Sequence, residues 1–358
     1  MLSDTARKAF VASMVVGGVL VFGLALWKLR IIIALVFLAI IVAAAMRPGV
    51  DALRRQGVPR AIGIAVHYLA LAGVVAILLA LVVPVAVDQI QEAIDRLPTS
   101  HAELTSRIRT SSGLEHELLV GLRNSLDDLP RARDLVDPAL QLSLLGFEIL
   151  VGIFFTLASA AYWIYERDRA IDLVASLLPP NRRRVVRDTW NLIDLKLGAY
   201  VRGQLLLVTL VGSVLSVAFW AIGLPFWLLI GIFAGVVELV PVIGPLSAGA
   251  LAVGVGLSDS WGVALAAGIA VLVVRLLEDY LVIPRVLGEA VGLSPLIVLF
   301  SVAAVTILFG KFTVLLAIPI AAVVATVIDV VVLNKNPAEE EVPTVLFPAQ
   351  DAEVGTRR

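Results

Sequence analysis

Glu238 lies in the run Phe-Ala-Gly-Val-Val-Glu-Leu-Val-Pro-Val-Ile-Gly-Pro (233–245), a lone acid among apolar residues. A carboxylate in such surroundings is expensive, so it is read first as a site for a proton or cation; the plainer alternative is a helix-end residue at a water interface. Pro241, Gly244 and Pro245 follow directly. Pro241 and Pro245 lack backbone donors, and with Gly244 they should interrupt a helix and free carbonyls at membrane depth, where water or a solute in a cavity, or neighbouring protein, would have to satisfy them. A second group is Arg275-Leu-Leu-Glu278-Asp279. Arg275 and Glu278 are three apart and share a helix face, so they either pair to reduce their burial cost or put Glu278 or Asp279 on a proton or cation path. Tyr200, Arg202 and Gln204 open an apolar run and are further candidates for a polar lining.

No enzymatic constellation stands beside these residues. The sequence has no Walker loop, no H-E-x-x-H and no G-x-S-x-G elbow. Cysteine is absent, and His67, His101 and His116 are scattered, so neither a metal centre nor a cofactor site is expected. His67 and Glu148 are read as interfacial or hydrogen-bonded residues. Nothing suggests a nucleic-acid surface, which needs a clustered basic face.

The elements that must position the candidates are membrane helices. Of 358 residues 60% are hydrophobic and 16% charged, against about 25% charged in a soluble domain. Mean hydropathy is +0.99. Apolar runs near the roughly 20 residues of a spanning helix cover 10–27, 31–46, 61–87, 144–165, 204–222, 225–257, 261–280 and 294–333. Lys28 and Arg30 suggest a tight connection between the first two. The runs at 225–257 and 294–333 are too long for one crossing and predict broken or re-entrant segments. The second echoes the first, with Gly-Leu, Pro, an apolar run, Gly and Pro, the pairing that points to a transporter's binding site. Gly231 and Gly235, spaced as G-x-x-x-G, allow close helix packing. The expectation is an all-α integral membrane protein of about eight hydrophobic segments.

Four regions follow: N-terminal segments (1–87), an amphipathic arm (88–143), a transmembrane core (144–333) and a disordered tail (334–358) containing Glu339-Glu340-Glu341. Within the core, 166–200 forms a polar block with Arg182-Arg183-Arg184. Its face of Val186, Trp190, Ile193, Leu197 and Tyr200, opposite Arg187, Asp188, Asn191 and Asp194, predicts a helix along the membrane surface. Arginine crowds 47–60 and 166–200, while in 88–143 six arginines are spread among ten acids. The positive-inside rule then puts both termini and the 166–200 block in the cytoplasm and the arm outside.

These residues resemble the autoinducer-2 exporter-like permease family of bacteria. The resemblance is carried by Lys196-Leu-Gly-Ala-Tyr-Val-Arg-Gly-Gln204, the 223–245 stretch, and Pro284-Arg-Val-Leu-Gly-Glu-Ala-Val-Gly-Leu-Ser-Pro295. The run from Gly310 to Pro319 and Met46-Arg-Pro48 extend it. One departure is Thr313, where the family usually has glycine. The resemblance implies an inner-membrane permease, a homo-oligomer, and transport either of autoinducer-2 or of sodium or lithium against protons. It supplies no catalytic residues. The sequence thus predicts a secondary or facilitative permease for a small solute, with membrane lipid and a solute or cation as partners and no cofactor. A Na+(Li+)/H+ antiporter is one alternative. A membrane scaffold that transports nothing is another.

Overall fold

A computed structural model describes residues 4–96, 136–240, 243–283, 294–340 and 342. Among the described residues the regular elements are helical: α1 (Asp4–Arg55), α2 (Arg60–Arg96), α3 (Val136–Ser176), α4 (Pro180–Ile222), α5 (Trp227–Val237), α6 (Ile243–Leu257), α7 (Trp261–Leu277), α8 (Pro295–Phe309) and α9 (Ala317–Val331). Six stretches among them are long and apolar enough to cross a membrane. Their outward side chains are greasy: Leu69 is 72% exposed and Phe154 73%. Water would penalise such a surface, whereas a bilayer accepts it because each helix satisfies its own backbone.

One expected connection is helix, and one expected surface helix is part of a longer one. The first two apolar runs form one element, α1, with no break at Lys28 and Arg30. Lys, Leu and Arg are good helix formers, so charge alone does not end a helix; Arg30 lies 4.3 Å over the Trp27 ring. The expected surface helix near 181–200 is likewise the first half of α4, which runs on into the apolar stretch ending at Ile222.

The two long apolar runs are divided. At 1.5 Å per residue α5 is about 16 Å long and α6, α8 and α9 about 22 Å each, short of a hydrocarbon core of about 30 Å. The second division falls at Gly310, whose φ of 103° belongs to glycine, followed by a 3-10 turn over Lys311–Leu316. Thr313, the residue that departs from the family pattern, is buried there. Its hydroxyl donates to Gly310 O at 2.7 Å, with Val305 O 3.2 Å away, and so ties the break back to the end of α8. Gly292 lies outside the described residues.

Contacts divide the chain into two compact units: Met1–Pro48, Gly152–Val201 and Glu289–Arg358 form one, and Gly49–Val151 with Arg202–Gly288 the other. In the first, Ala34, Ile41 and Ala44 of α1 pack with Leu197 and Leu316. In the second, Val211, Leu215 and Phe219 of α4 pack with Ile230 and Ala234 of α5, Ala248 and Ala252 of α6 and Ala267 of α7. Gly231 and Gly235 make that packing possible: an added Cβ would sit 2.7 Å from Ser216 Cα or 2.6 Å from Val208 O. The G-x-x-x-G pair therefore holds α5 against α4.

Residues 334–340, assigned to the tail, make packed and paired contacts; 341 and 343–358 lie outside the described residues. Pro337 is buried, Lys335 pairs with Asp329 at 3.0 Å, and Glu340 pairs with Lys196, whose Nζ also donates to Thr326 Oγ1. A buried lysine needs a counter-charge, and Glu340 supplies it. Of the expected arm, residues 88–96 continue α2 and 136–143 begin α3; its segment 97–135 lies outside the described residues.

Candidate functional site

α5 ends at Val237, and Glu238 caps it with its N–H donating to Ala234 O. The cap is buried rather than wet, Glu238 being 7% exposed. α7 ends at Leu277 and gives way to a π-helical turn over Glu278–Val282. Such turns redirect side chains and recur at functional positions. Here the turn places Glu278, 3% exposed, and Asp279 on the same side as Arg275.

Arg275 gathers the acids. Its Nη1 donates to Glu238 Oε1 at 3.0 Å and Glu278 Oε2 at 3.2 Å, and its Nη2 lies 2.9 Å from Asp279 Oδ1. One guanidinium thus faces three carboxyl groups, two of them buried. A guanidinium offers five donors in a rigid fork and can serve several acceptors together. Among the described contacts of Arg275 the charge count is unequal, one base to three acids. Among the described residues no group of His, Cys, Asp and Glu has the arrangement of a metal centre.

The interrupted helix forms the other side of the site. Leu239 N–H donates to Val236 O, Val240 N–H to Val237 O and Gly244 N–H to Val240 O, while Gln204 Nε2 reaches Glu238 O at 3.5 Å. These turn bonds and Gln204 take up carbonyls that the break was expected to free. Gly244 is pressed against the end of α5, since an added Cβ would lie 2.0 Å from Val237 O. Pro245 falls in the first turn of α6, where a missing donor breaks no helical bond. Pro241 lies outside the described residues, as does the Pro284 to Gly292 motif.

The structure therefore brings together Gln204, Glu238, Gly244, Arg275, Glu278 and Asp279. Tyr200 is buried in the other unit. Arg202 is two residues before Gln204 on α4, about half a turn away. His67 is hydrogen-bonded, its Nδ1 2.8 Å from Gly63 O.

Sequence reasoning missed a second polar centre. Arg167 of α3 binds Asp194 of α4, Arg47 of α1 reaches Asp194 Oδ2 at 3.3 Å, and Arg167 Nη2 donates to Asn191 Oδ1 at 2.6 Å. The sequence pattern puts Asp194 on the polar face of a surface helix, yet it is 5% exposed. Its position one turn from Trp190 and next to Ile193, at the border of the apolar face, was the available signal.

A polytopic helical membrane protein with one group of buried charges at interrupted helices has features expected of a membrane permease. Comparison with known proteins specifies the lineage: residues 17–333 match the model described as AI-2E family transporter, and the chain belongs to that family. It is 23% identical over 291 residues to YrrI of Bacillus subtilis (strain 168), covering 80% of this chain and 82% of that protein. It is 26% identical over 320 residues to MT0215 of Mycobacterium tuberculosis (strain CDC 1551 / Oshkosh), covering 87% and 85%. The names of both assign them to transport only provisionally. PerM of Escherichia coli (strain K12), provisionally named a permease, is 27% identical over 169 residues, about half of each chain.

Proposed function

We propose that this protein is a secondary permease for a small solute and that its transport is coupled to a proton or a sodium ion at the Arg275 cluster. The observation that carries this reading is one guanidinium set among three carboxyl groups, two of them buried. In apolar surroundings the surplus of acid over base calls for a further positive charge, and a proton or small cation supplies it. Exchange of that charge, as helices packed through glycines shift, gives a means of coupling. Na+(Li+)/H+ antiport is the second reading, and the same surplus of acid favours it. Autoinducer-2 is the solute to try first, because the family's name points to it. The site residues on this reading are Gln204, Glu238, Arg275, Glu278 and Asp279, with Gly244 and Pro245 shaping the turn. The carboxy terminus and the turn between α1 and α2 lie in the cytoplasm, the amino terminus, expected there, lies across the membrane at the far end of the single helix α1, and the protein works in the bacterial inner membrane as a homo-oligomer.

Purified protein in liposomes, with an internal pH dye and imposed sodium or solute gradients, tests the reading. Coupled flux is expected from the native chain and is lost in Glu238→Gln and Glu278→Gln, while both variants insert and keep their melting behaviour. Full coupling in both variants would remove the cluster from the mechanism. A native chain that moves neither solute nor cation would favour the scaffold.

A further inference from the structure

The first unit contains a cavity of about 870 Å³ that the Arg275 cluster does not share. That volume falls within the roughly 300–1,000 Å³ of sites that bury a small molecule. On α4 its wall passes from Asn181 and Arg182 through Val186 and Ile193 to Leu197. On α9 it passes from Asn334, just after the helix, through Val330 and Val327 to Val323. Polar and cationic groups therefore stand at one end of both walls, and valine, leucine and isoleucine at the other. Thr189, within the wall, already donates its hydroxyl to Val185 O at 2.7 Å.

The length of the cavity identifies what it fits. From Arg182 to Leu197 is fifteen residues, about 22 Å along a helix. Half of a bilayer, headgroups included, is roughly 20–22 Å. A cavity one leaflet deep, apolar below and cationic at the rim, matches an amphiphile with an anionic head. The neighbouring arginines are engaged: Arg183 donates to Leu178 O at 3.1 Å, Arg184 lies 3.6 Å from Asp188, and Arg187 lies 2.8 Å from Asp172. Arg182 makes no such contact among the described residues, so its guanidinium is available for a phosphodiester. We infer that this cavity is a binding site for an anionic phospholipid, whose acyl chain lies along α4 and α9 and whose phosphate is held by Arg182 with Asn181 and Asn334 beside it. The site is independent of the proposed coupling cluster, and of which leaflet the rim faces.

Delipidated protein in neutral detergent is titrated with phosphatidylglycerol or phosphatidylcholine of identical acyl chains. Binding is read by native mass spectrometry and by the rise in melting temperature, since a ligand of the folded state stabilises it. Phosphatidylglycerol is expected to bind about tenfold or more tightly than phosphatidylcholine, because both carry the phosphodiester but the fixed cation of choline offsets its charge and opposes Arg182. Arg182→Gln should bring the two lipids level without altering the melting of lipid-free protein. Val327→Trp should fill the cavity and remove binding of both, whereas Val324→Trp, outside the lining, should leave it unchanged. Inorganic phosphate alone should not stabilise the protein. Equal affinities in the native chain would overturn the assignment, as would a lipid preference that survives Arg182→Gln. Stabilisation by phosphate alone would make the site one for a free anion. A change of subunit number in Val327→Trp with lipid binding intact would make it a protomer interface.

Discussion

At Gly235 the backbones of α4 and α5 meet with no room for a side chain. A Cβ there would lie 2.6 Å from Val208 O and 2.9 Å from Gly212 Cα, both main-chain atoms that no rotamer change can move aside. Gly235→Ala must therefore push the packed helices apart, at a cost of about 1–3 kcal/mol. Gly254→Ala is the matched control, because nothing lies within 4 Å of its Cβ and alanine is the better helix former by about 1 kcal/mol. Melting in detergent should fall for the first variant and hold or rise for the second; equal melting would mean that the α4–α5 contact is looser than these distances. Since α5 carries Glu238 and α4 carries Gln204, separating them should also weaken coupled flux. The same close approach that stabilises this unit aims its carboxyl group.

The interruption between α5 and α6 depends on Gly244 more than on Pro245. Gly244 meets Val237 O at 2.0 Å from a virtual Cβ, whereas Pro245 occupies a helical first turn that suits it. Gly244→Ala should accordingly lower both melting temperature and transport, and Pro245→Ala should change stability by no more than about 0.5 kcal/mol. If Pro245→Ala straightened the segment and stopped transport while Gly244→Ala did neither, the ranking would be reversed. The interruptions themselves were legible, because glycine and proline cluster at 241–245 and again between Ser294 and Pro319. So was the Arg275–Glu278 pair, which follows from a spacing of three on one helix. The third member was not: Glu238 is 37 positions from Arg275, and partner choice across helices leaves no period in the sequence. Asp194 with Arg47, 147 positions apart, and Lys196 with Glu340, 144 apart, were hidden for the same reason. Lys28 and Arg30 misled in the opposite direction, since they have the look of a loop but the propensity of a helix.

For the whole molecule, arginine distribution is what sets orientation. Arg47, Arg54, Arg55 and Arg60 surround the turn between α1 and α2, and Arg182, Arg183, Arg184 and Arg187 follow the turn between α3 and α4. Positive charge close to span ends is retained in the cytoplasm, while acids contribute little to the choice. Residues 97–135 carry arginines only thinly spread, so the connection between α2 and α3 should be outside. The chain has no cysteine, which makes single introduced thiols unambiguous reporters. Leu177, 79% exposed in the turn before α4, and Ser112 in the connection are suitable positions. A membrane-impermeant maleimide applied to intact cells should label Ser112→Cys at once and Leu177→Cys only after permeabilisation. The opposite pattern would invert the protein and exchange the sides from which the Arg275 cluster loads and releases its charge. Labelling of both positions in intact cells would require α3 to stop short of crossing.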